Sequence, residues 1–400
     1  MLKRSVENIF KTALETFPVV LLNGARQVGK STIAIEYFDN YITFDDGQMR
    51  LFAKENPKAF LKNLDTPICL DEIQKVPDLL EYIKIDIDTH RENGRYLLTG
   101  SSNILDHKDS KDTLAGRLCE IQLFPLSSKE KDNKSEENII IQLLNRDFKV
   151  KNQHFSDKIV SHILDGGYPE ITKLKGFAKE LWFKSYISTY IERDARDLAN
   201  IRDLDNFIRF VNILATRSAT ILNKSSLSSS VGIKDITTDN YLSVLNRIYQ
   251  ISLVKPYFAN IGKQFVKSPK ILFTDTGVLC SLLGINSKEK LLDSPYSGQV
   301  FETYIFCELQ KHLANLNETA KIYHYRTNDK KEIDFVIEVD NTIIAIEVKQ
   351  SSTIQKSDFK HILDFQQRYD RDILGIVFYN GNITIELDDN LVAIPFGFFL

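Results

Sequence analysis

Gly24-Ala-Arg-Gln-Val-Gly-Lys-Ser31 places glycine, four residues, glycine, lysine and serine in the order that a phosphate-binding loop requires. An apolar run at 18–23 reads as the strand before it, and residues 31–38 as the helix after it. In that arrangement Gly24, Ala25, Arg26, Gln27, Val28 and Gly29 wrap backbone N–H groups around a β-phosphate, and the helix start adds partial positive charge. Lys30 reaches the β- and γ-phosphates, Ser31 ligates Mg²⁺, and Thr32 completes the nucleotide-binding set. The other half of such a site is an apolar strand ending in carboxylates, and Pro67-Ile-Cys-Leu-Asp-Glu-Ile73 supplies it. Asp71 is expected to hold the Mg²⁺ shell and Glu72 to polarise the attacking water, since neighbouring residues at a strand end face opposite ways. A third strand, 95–99, runs into Gly100-Ser-Ser-Asn103, where Thr99 or Asn103 is placed to sense the γ-phosphate; a plain turn or helix cap fits the same residues. The chemistry expected of these residues is binding and hydrolysis of a nucleoside triphosphate with Mg²⁺.

A second group of chemical residues lies near the far end. Apolar runs at 333–339 and 342–348 flank Asp340-Asn341, a pair that tolerates the positive φ of a tight hairpin turn. A two-residue loop pairs Val339 with Thr342 and, stepping back along both strands, Asp334 with Glu347. Opposed carboxylates ~4.5–5.5 Å apart at Cβ repel unless a cation lies between them. Lys349 falls on the same face, opposite Glu332, and a helix over 298–313 offers Glu302 as a further carboxylate. Asp334, Glu347 and Glu302 around a second divalent ion, Mg²⁺ or Mn²⁺, with Lys349 orienting water, make a hydrolytic constellation. The competing reading is an electrostatic cluster on a sheet face, with Lys349 neutralising Glu332 and Glu347.

The elements that must position these groups need more than one core: 400 residues with 43% hydrophobic content imply two or three domains. Net charge is −3, so any nucleic-acid surface must be local. The four cysteines lack close paired spacing and read as reduced core residues, and the seven histidines show no metal-ligand spacing. No apolar stretch reaches the ~20 residues of a membrane helix, and the charged start reads as neither signal peptide nor anchor, which predicts a cytoplasmic protein. Strand and helix patterns alternate over 1–127, as in a parallel sheet with crossover helices. The charged run at 128–137 reads as a solvated loop. A helical connector spans 138–204, including an amphipathic helix over 177–197 carrying Leu181, Trp182, Tyr186 and Tyr190; its charged end reads as exposed ion pairs. Residues 205–290 read as a winged helix, with Thr237 or Thr238 capping the recognition helix and Lys263, Lys267 and Lys270 forming a basic edge for phosphates. Such modules also serve as protein connectors. An α/β domain fills 295–400.

The loop at 24–31, Leu70-Asp-Glu72, Leu98-Thr-Gly-Ser-Ser102, Leu114-Ala-Gly-Arg117, Gly166-Gly-Tyr-Pro-Glu170, Tyr190-Ile-Glu-Arg-Asp194, Lys267-Ser-Pro-Lys270 and Asp275-Thr-Gly277 occur in an order that resembles a prokaryotic family of AAA-type P-loop ATPases fused to a C-terminal domain of unknown function. The C-terminal segment resembles the restriction-endonuclease-like, PD-(D/E)XK, fold, with Asp334, Glu347 and Lys349 at its motif positions. The resemblance implies a homo-oligomer and raises Arg117 and Arg193 as arginine fingers. Two functions follow as expectations: an ATP-regulated protein that processes nucleic acid, DNA before RNA, or a nucleotide-dependent switch whose nuclease-like domain only binds DNA or protein.

Overall fold

The computed structural model describes residues 2–102, 114–134, 138–150, 156–191, 195, 201, 203–258, 268–316, 319–369 and 371–400. Two compact units divide the chain, Lys3–Pro125 with Arg247–Tyr249, and chiefly Leu126–Asn246 with Gln250–Leu400.

In the first unit, strands β1 (Val19–Asn23), β2 (Asn40–Thr43), β3 (Ile68–Asp71), β4 (Tyr96–Gly100) and β5 (Leu118–Gln122) form a parallel sheet in the order β2-β3-β4-β1-β5. β1, β3 and β4 are apolar almost throughout and wholly buried, the pattern of strands covered on both faces. Helix Leu79–Thr89 presents Leu79, Leu80, Ile83 and Ile87, spaced at one, four and eight, to Leu70, Tyr96 and Leu98. The expected parallel sheet is present, and the C-terminal ends of β1, β3 and β4 deliver their polar residues to one edge, where open α/β sheets bind ligands.

The second unit begins with a correction. Ser128–Lys131 is a short helix held by a capping box, in which Ser127 Oγ accepts from Glu130 N and Glu130 Oε2 accepts from Ser127 N. Ser128, Lys129 and Glu130 are buried, because Ser128 donates its N–H to Glu308 at 2.9 Å and its hydroxyl meets Tyr304 OH at 2.8 Å. Charge density alone misleads there, because buried partners come from a helix far along the chain. The amphipathic helix ends at Tyr186, and a π-helical turn follows over Ile187–Ile191. Trp182 stacks on Tyr186 with centroids 5.0 Å apart, whereas Leu181 is exposed.

Helix Leu204–Ala215, strand β6 (Thr220–Ile221), helices Lys224–Val231 and Asp235–Arg247, then strands β7 (Ile251–Val254) and β8 (Lys270–Phe273) follow in order, with β8 between β6 and β7 and antiparallel to both. The second of those helices starts at Asp235 rather than at Thr237 or Thr238; Thr238 is buried inside it and its hydroxyl meets Ser228 Oγ at 2.8 Å. Lys263 and Lys267 lie outside the described residues.

A six-stranded sheet completes the unit, with β9 (Ala320–Arg326), β10 (Glu332–Val339), β11 (Thr342–Lys349), β12 (Asp372–Tyr379), β13 (Ile385–Asp388) and β14 (Leu391–Pro395) in the order β13-β14-β12-β11-β10-β9. Helix Ser297–Ala314 sets Phe306 on Phe335 (5.9 Å between centroids), and helix Lys360–Arg368 buries Ile362 and Phe365 among Val336, Ile343 and Ala345. Both faces are covered, so β10 and β11 bury residues on both sides instead of alternating cleanly.

Asp275 ties this unit together. Its carboxylate accepts from Val278 N at 3.0 Å, capping helix Thr276–Leu282, and from Gly167 N at 2.7 Å. Asp275→Ala leaves two buried N–H groups without an acceptor and is expected to cost about 2–3 kcal/mol. Denaturant unfolding followed by the single tryptophan, Trp182, reads it directly; an unchanged midpoint would remove Asp275 from the framework.

Candidate functional site

The phosphate loop leaves β1 at Asn23 and is shaped by three left-handed residues, Gly24 (φ 144°), Gln27 (φ 63°) and Gly29 (φ 104°). At Gly24 a Cβ would stand 2.2 Å from the carbonyl oxygen of Leu123, so only glycine fits. Arg4 braces the loop, its Nη1 donating to Val28 O at 2.8 Å and its Nη2 to Phe124 O at 2.7 Å. Helix Lys30–Tyr37 starts directly behind Gly29. Lys30 is buried, and its Nζ donates to the carbonyls of Gly24 and Ala25 at 2.8 Å each, which keeps an ammonium at the loop's mouth.

Across from the loop, Asp71 closes β3. Its Oδ1 accepts from Ser31 Oγ at 3.3 Å and from Thr99 Oγ1, and its Oδ2 from Thr43 Oγ1 at 3.0 Å. A buried carboxylate ringed by three hydroxyls, one of them the loop serine, is a hard oxygen set that fits Mg²⁺. Burial and the neighbouring Asp71 push the Tyr41 phenol upward, so it stays protonated beside this acid. Glu72 differs from expectation: it lies past the strand with φ 58°, and its Oε2 accepts from Ser101 Oγ at 3.1 Å and from Gln74 Nε2. Thr99 Oγ1 also accepts from Glu72 N at 3.3 Å, so this threonine couples the two acids. Asn103 and Arg193 lie outside the described residues. Arg117 donates from Nε to Asp88 Oδ1 at 2.6 Å. Arg4, Thr43 and Gln74 belong to none of the sequence motifs above, and Ser101 stands there only as part of the polar turn at 100–103; Thr43, Gln74 and Ser101 all sit at or just past strand ends, the location that flags them.

In the second unit the hairpin has the expected two-residue turn, with Asp340 at φ 49°, and Val339 pairs with Thr342 through to Phe335 with Ile346. Asp334 lies within a register slip between β9 and β10, and its Oδ2 accepts from Val348 N at 2.9 Å, beside Glu347. The cation between the acids departs from expectation. Lys270, read as part of an exposed basic edge, is fully buried; its Nζ lies 2.6 Å from Glu302 Oε1, 3.4 Å from Glu332 Oε1 and 3.4 Å from Asp334 Oδ1. Lys349 pairs with Glu347 at 2.7 Å rather than with Glu332, whose other neighbour is Arg326 at 3.6 Å. His361 Nδ1 meets Glu332 O at 2.9 Å and stands 4.0 Å from Glu347 Oε1. Among the described residues no three acidic, histidine or cysteine side chains are placed to hold a metal ion, so Glu302, Asp334 and Glu347 do not form the expected metal set.

Burial, then the nearby Asp334 charge, pushes Glu302 and Glu347 each up to about 8. Folded, both keep protons that the unfolded chain releases near 4.5, so their contribution to stability falls as pH rises between those values. Burial depresses His162 to about 2, and His312 and His324 to about 4; these act in the opposite sense, but only up to the ordinary 6.5. Lys270 and Lys349 are raised by their acid partners against the opposing effect of burial and stay charged throughout this window. The second unit is therefore expected to lose stability from about 6.5 to about 8, and less so in Glu302→Gln. Denaturant midpoints by Trp182 fluorescence across that range check this; a flat profile in the wild type contradicts it.

Residues 16–131 match an AAA domain, 156–289 match a domain of unknown function (DUF8612), and 297–399 match another (DUF4143). An uncharacterized protein of Mycobacterium tuberculosis is 27% identical over 399 residues, covering 98% of this chain and 83% of that one. One from Methanocaldococcus jannaschii is 23% identical over 416 residues, covering 94% and 87%. The solved structure of Cdc6p from Pyrobaculum aerophilum aligns over 71% of this chain and 93% of its own at 13% identity, but its TM-score of 0.22 is too low to carry an argument. The AAA match, the loop and the parallel sheet together support an AAA-type P-loop ATPase domain in the first unit. Among the described residues, no helix is long and apolar enough to cross a membrane.

Proposed function

We propose that the chain is a Mg²⁺-dependent, ATP-hydrolysing AAA-type ATPase whose nucleotide state governs a C-terminal nuclease-like domain that engages nucleic acid, DNA before RNA. The observation that carries it is the convergence of Lys30, Ser31, Asp71 and Glu72 at one edge of the parallel sheet. Ser31 and Asp71 would hold Mg²⁺, which screens the charge of the β- and γ-phosphates. Lys30 exchanges the carbonyls of Gly24 and Ala25 for phosphate oxygens, and Glu72 orients the water and takes its proton. Arginine fingers drawn from Arg117 and Arg193, and a homo-oligomer to present them, belong to this reading.

For the second unit, support comes from the helix, strand, helix, helix, strand, strand order of a winged helix and from a hairpin that sets Asp334 beside Glu347 and Lys349. Cutting and binding are the two outcomes such a domain offers. The commitment of Glu302 and Asp334 to Lys270 favours binding, which makes the chain a nucleotide-dependent switch. The deciding experiment measures ATP turnover by the full chain with Mg²⁺, together with binding and cleavage of single- and double-stranded DNA and RNA, with and without ATP, against Asp334→Ala. Absence of turnover removes the ATPase. Nucleic-acid binding indifferent to nucleotide removes the coupling, and cleavage lost in Asp334→Ala restores the nuclease.

A further inference from the structure

We infer that the second unit carries its cation built in: the ammonium of Lys270 occupies the place a divalent ion takes among carboxylates in a hydrolytic site, so no Mg²⁺ or Mn²⁺ binds there and the domain does not cut nucleic acid. The inference rests on reading that domain as nuclease-like. Two acids of the expected metal set surround that nitrogen, Glu302 from helix Ser297–Ala314 and Asp334 from β10, with Glu332 of β10 standing in place of Glu347. All three carboxylates lie within 3.4 Å of one nitrogen, and Asp334 O lies 3.5 Å from it. A divalent ion needs oxygens at about 2.0–2.6 Å, and it cannot share that space with an ammonium.

Lys270 cannot readily withdraw. It is the first residue of β8, paired with Ile221 on one side and Val254 on the other. Its side chain is fully buried, with the ammonium 5.5 Å from the centre of the Phe335 ring. Removing one member of a buried ion cluster leaves the others uncompensated, so an incoming metal would have to displace a cation whose own side chain is fully buried. Two further oxygens are engaged as well: Asp334 Oδ2 accepts from Val348 N at 2.9 Å, and Glu347 Oε2 from Lys349 at 2.7 Å. The same contact fixes β8 of the three-stranded sheet to β10 of the six-stranded one, so Lys270 acts as a latch where a metal ligand set would be.

Mn²⁺ bound per full-length chain, counted by electron paramagnetic resonance without nucleotide, tests this in the wild type, Asp334→Asn and Lys270→Met. Equal counts are expected in the wild type and Asp334→Asn, with a gain of about one Mn²⁺ in Lys270→Met. A Mn²⁺ present in the wild type and lost in Asp334→Asn overturns the inference, as does a folded Lys270→Met that takes up no more than the wild type. If Lys270→Met fails to fold, the first comparison still decides. The nuclease-like reading itself is judged by nucleic-acid binding, a separate measurement: loss of that reading leaves the Mn²⁺ counts as they are.

Discussion

Lys30→Ala lowers ATP turnover by at least about 100-fold and leaves the first unit folded; this is the expected result of removing a preorganised cation from the developing charge on the γ-phosphate. Lys30 is held at the mouth of the loop by the carbonyls of Gly24 and Ala25, so its charge is in place before nucleotide arrives. The loop does not depend on it for shape, because Gly24 is fixed against Leu123 and Arg4 bonds Val28 and Phe124. The structural cost is therefore about 1–3 kcal/mol, the worth of the lost bonds, against a core that runs from Val19 to Leu114. Steady-state turnover and a thermal melt on the same preparation separate the two effects. Turnover within a few-fold of wild type with an unchanged melt would remove this loop from the chemistry.

The phosphate loop was legible because its chemistry demands particular residues at consecutive positions. The hairpin was legible for a related reason: Asp340-Asn341 sets a turn length, and the turn length sets the whole register down to the neighbours of Asp334. Lys270 was not legible. In Lys-Ser-Pro-Lys it looks like an exposed basic cluster, and its burial is decided by Glu302, Glu332 and Asp334, which the fold brings from far along the chain. Arg4 is hidden in the same way, since its acceptors lie in the loop and beyond β5. The buried Ser128–Lys131 helix did carry a local cue, the serine and glutamate of a capping box at Ser127 and Glu130, which the surrounding charge masked. Local pattern thus found the groups that act through backbone geometry, while groups that act through distant partners needed the fold.

Glu72→Gln is expected to cut turnover by about 10²–10⁴ while ATP and Mg²⁺ still bind. Glutamine has the shape of glutamate and can still take the hydrogen bond from Ser101, so the loop after β3 keeps its left-handed turn at residue 72. What it loses is the negative charge that draws a proton from water. The geometry leaves one carboxylate oxygen for that role, because Ser101 and Gln74 both donate to Oε2 and, among the described residues, no donor takes Oε1. Asp71, by contrast, keeps its bonds to Ser31, Thr43 and Thr99, so the groups proposed to hold Mg²⁺ remain intact in the variant. The variant should therefore accumulate bound ATP, visible as a thermal shift with Mg²⁺ and ATP equal to that of the wild type, together with lost turnover. Turnover near the wild-type rate would mean that another group orients the water. Loss of binding as well would mean that Glu72 shapes the pocket instead of acting on the water, since the two roles part at this one oxygen.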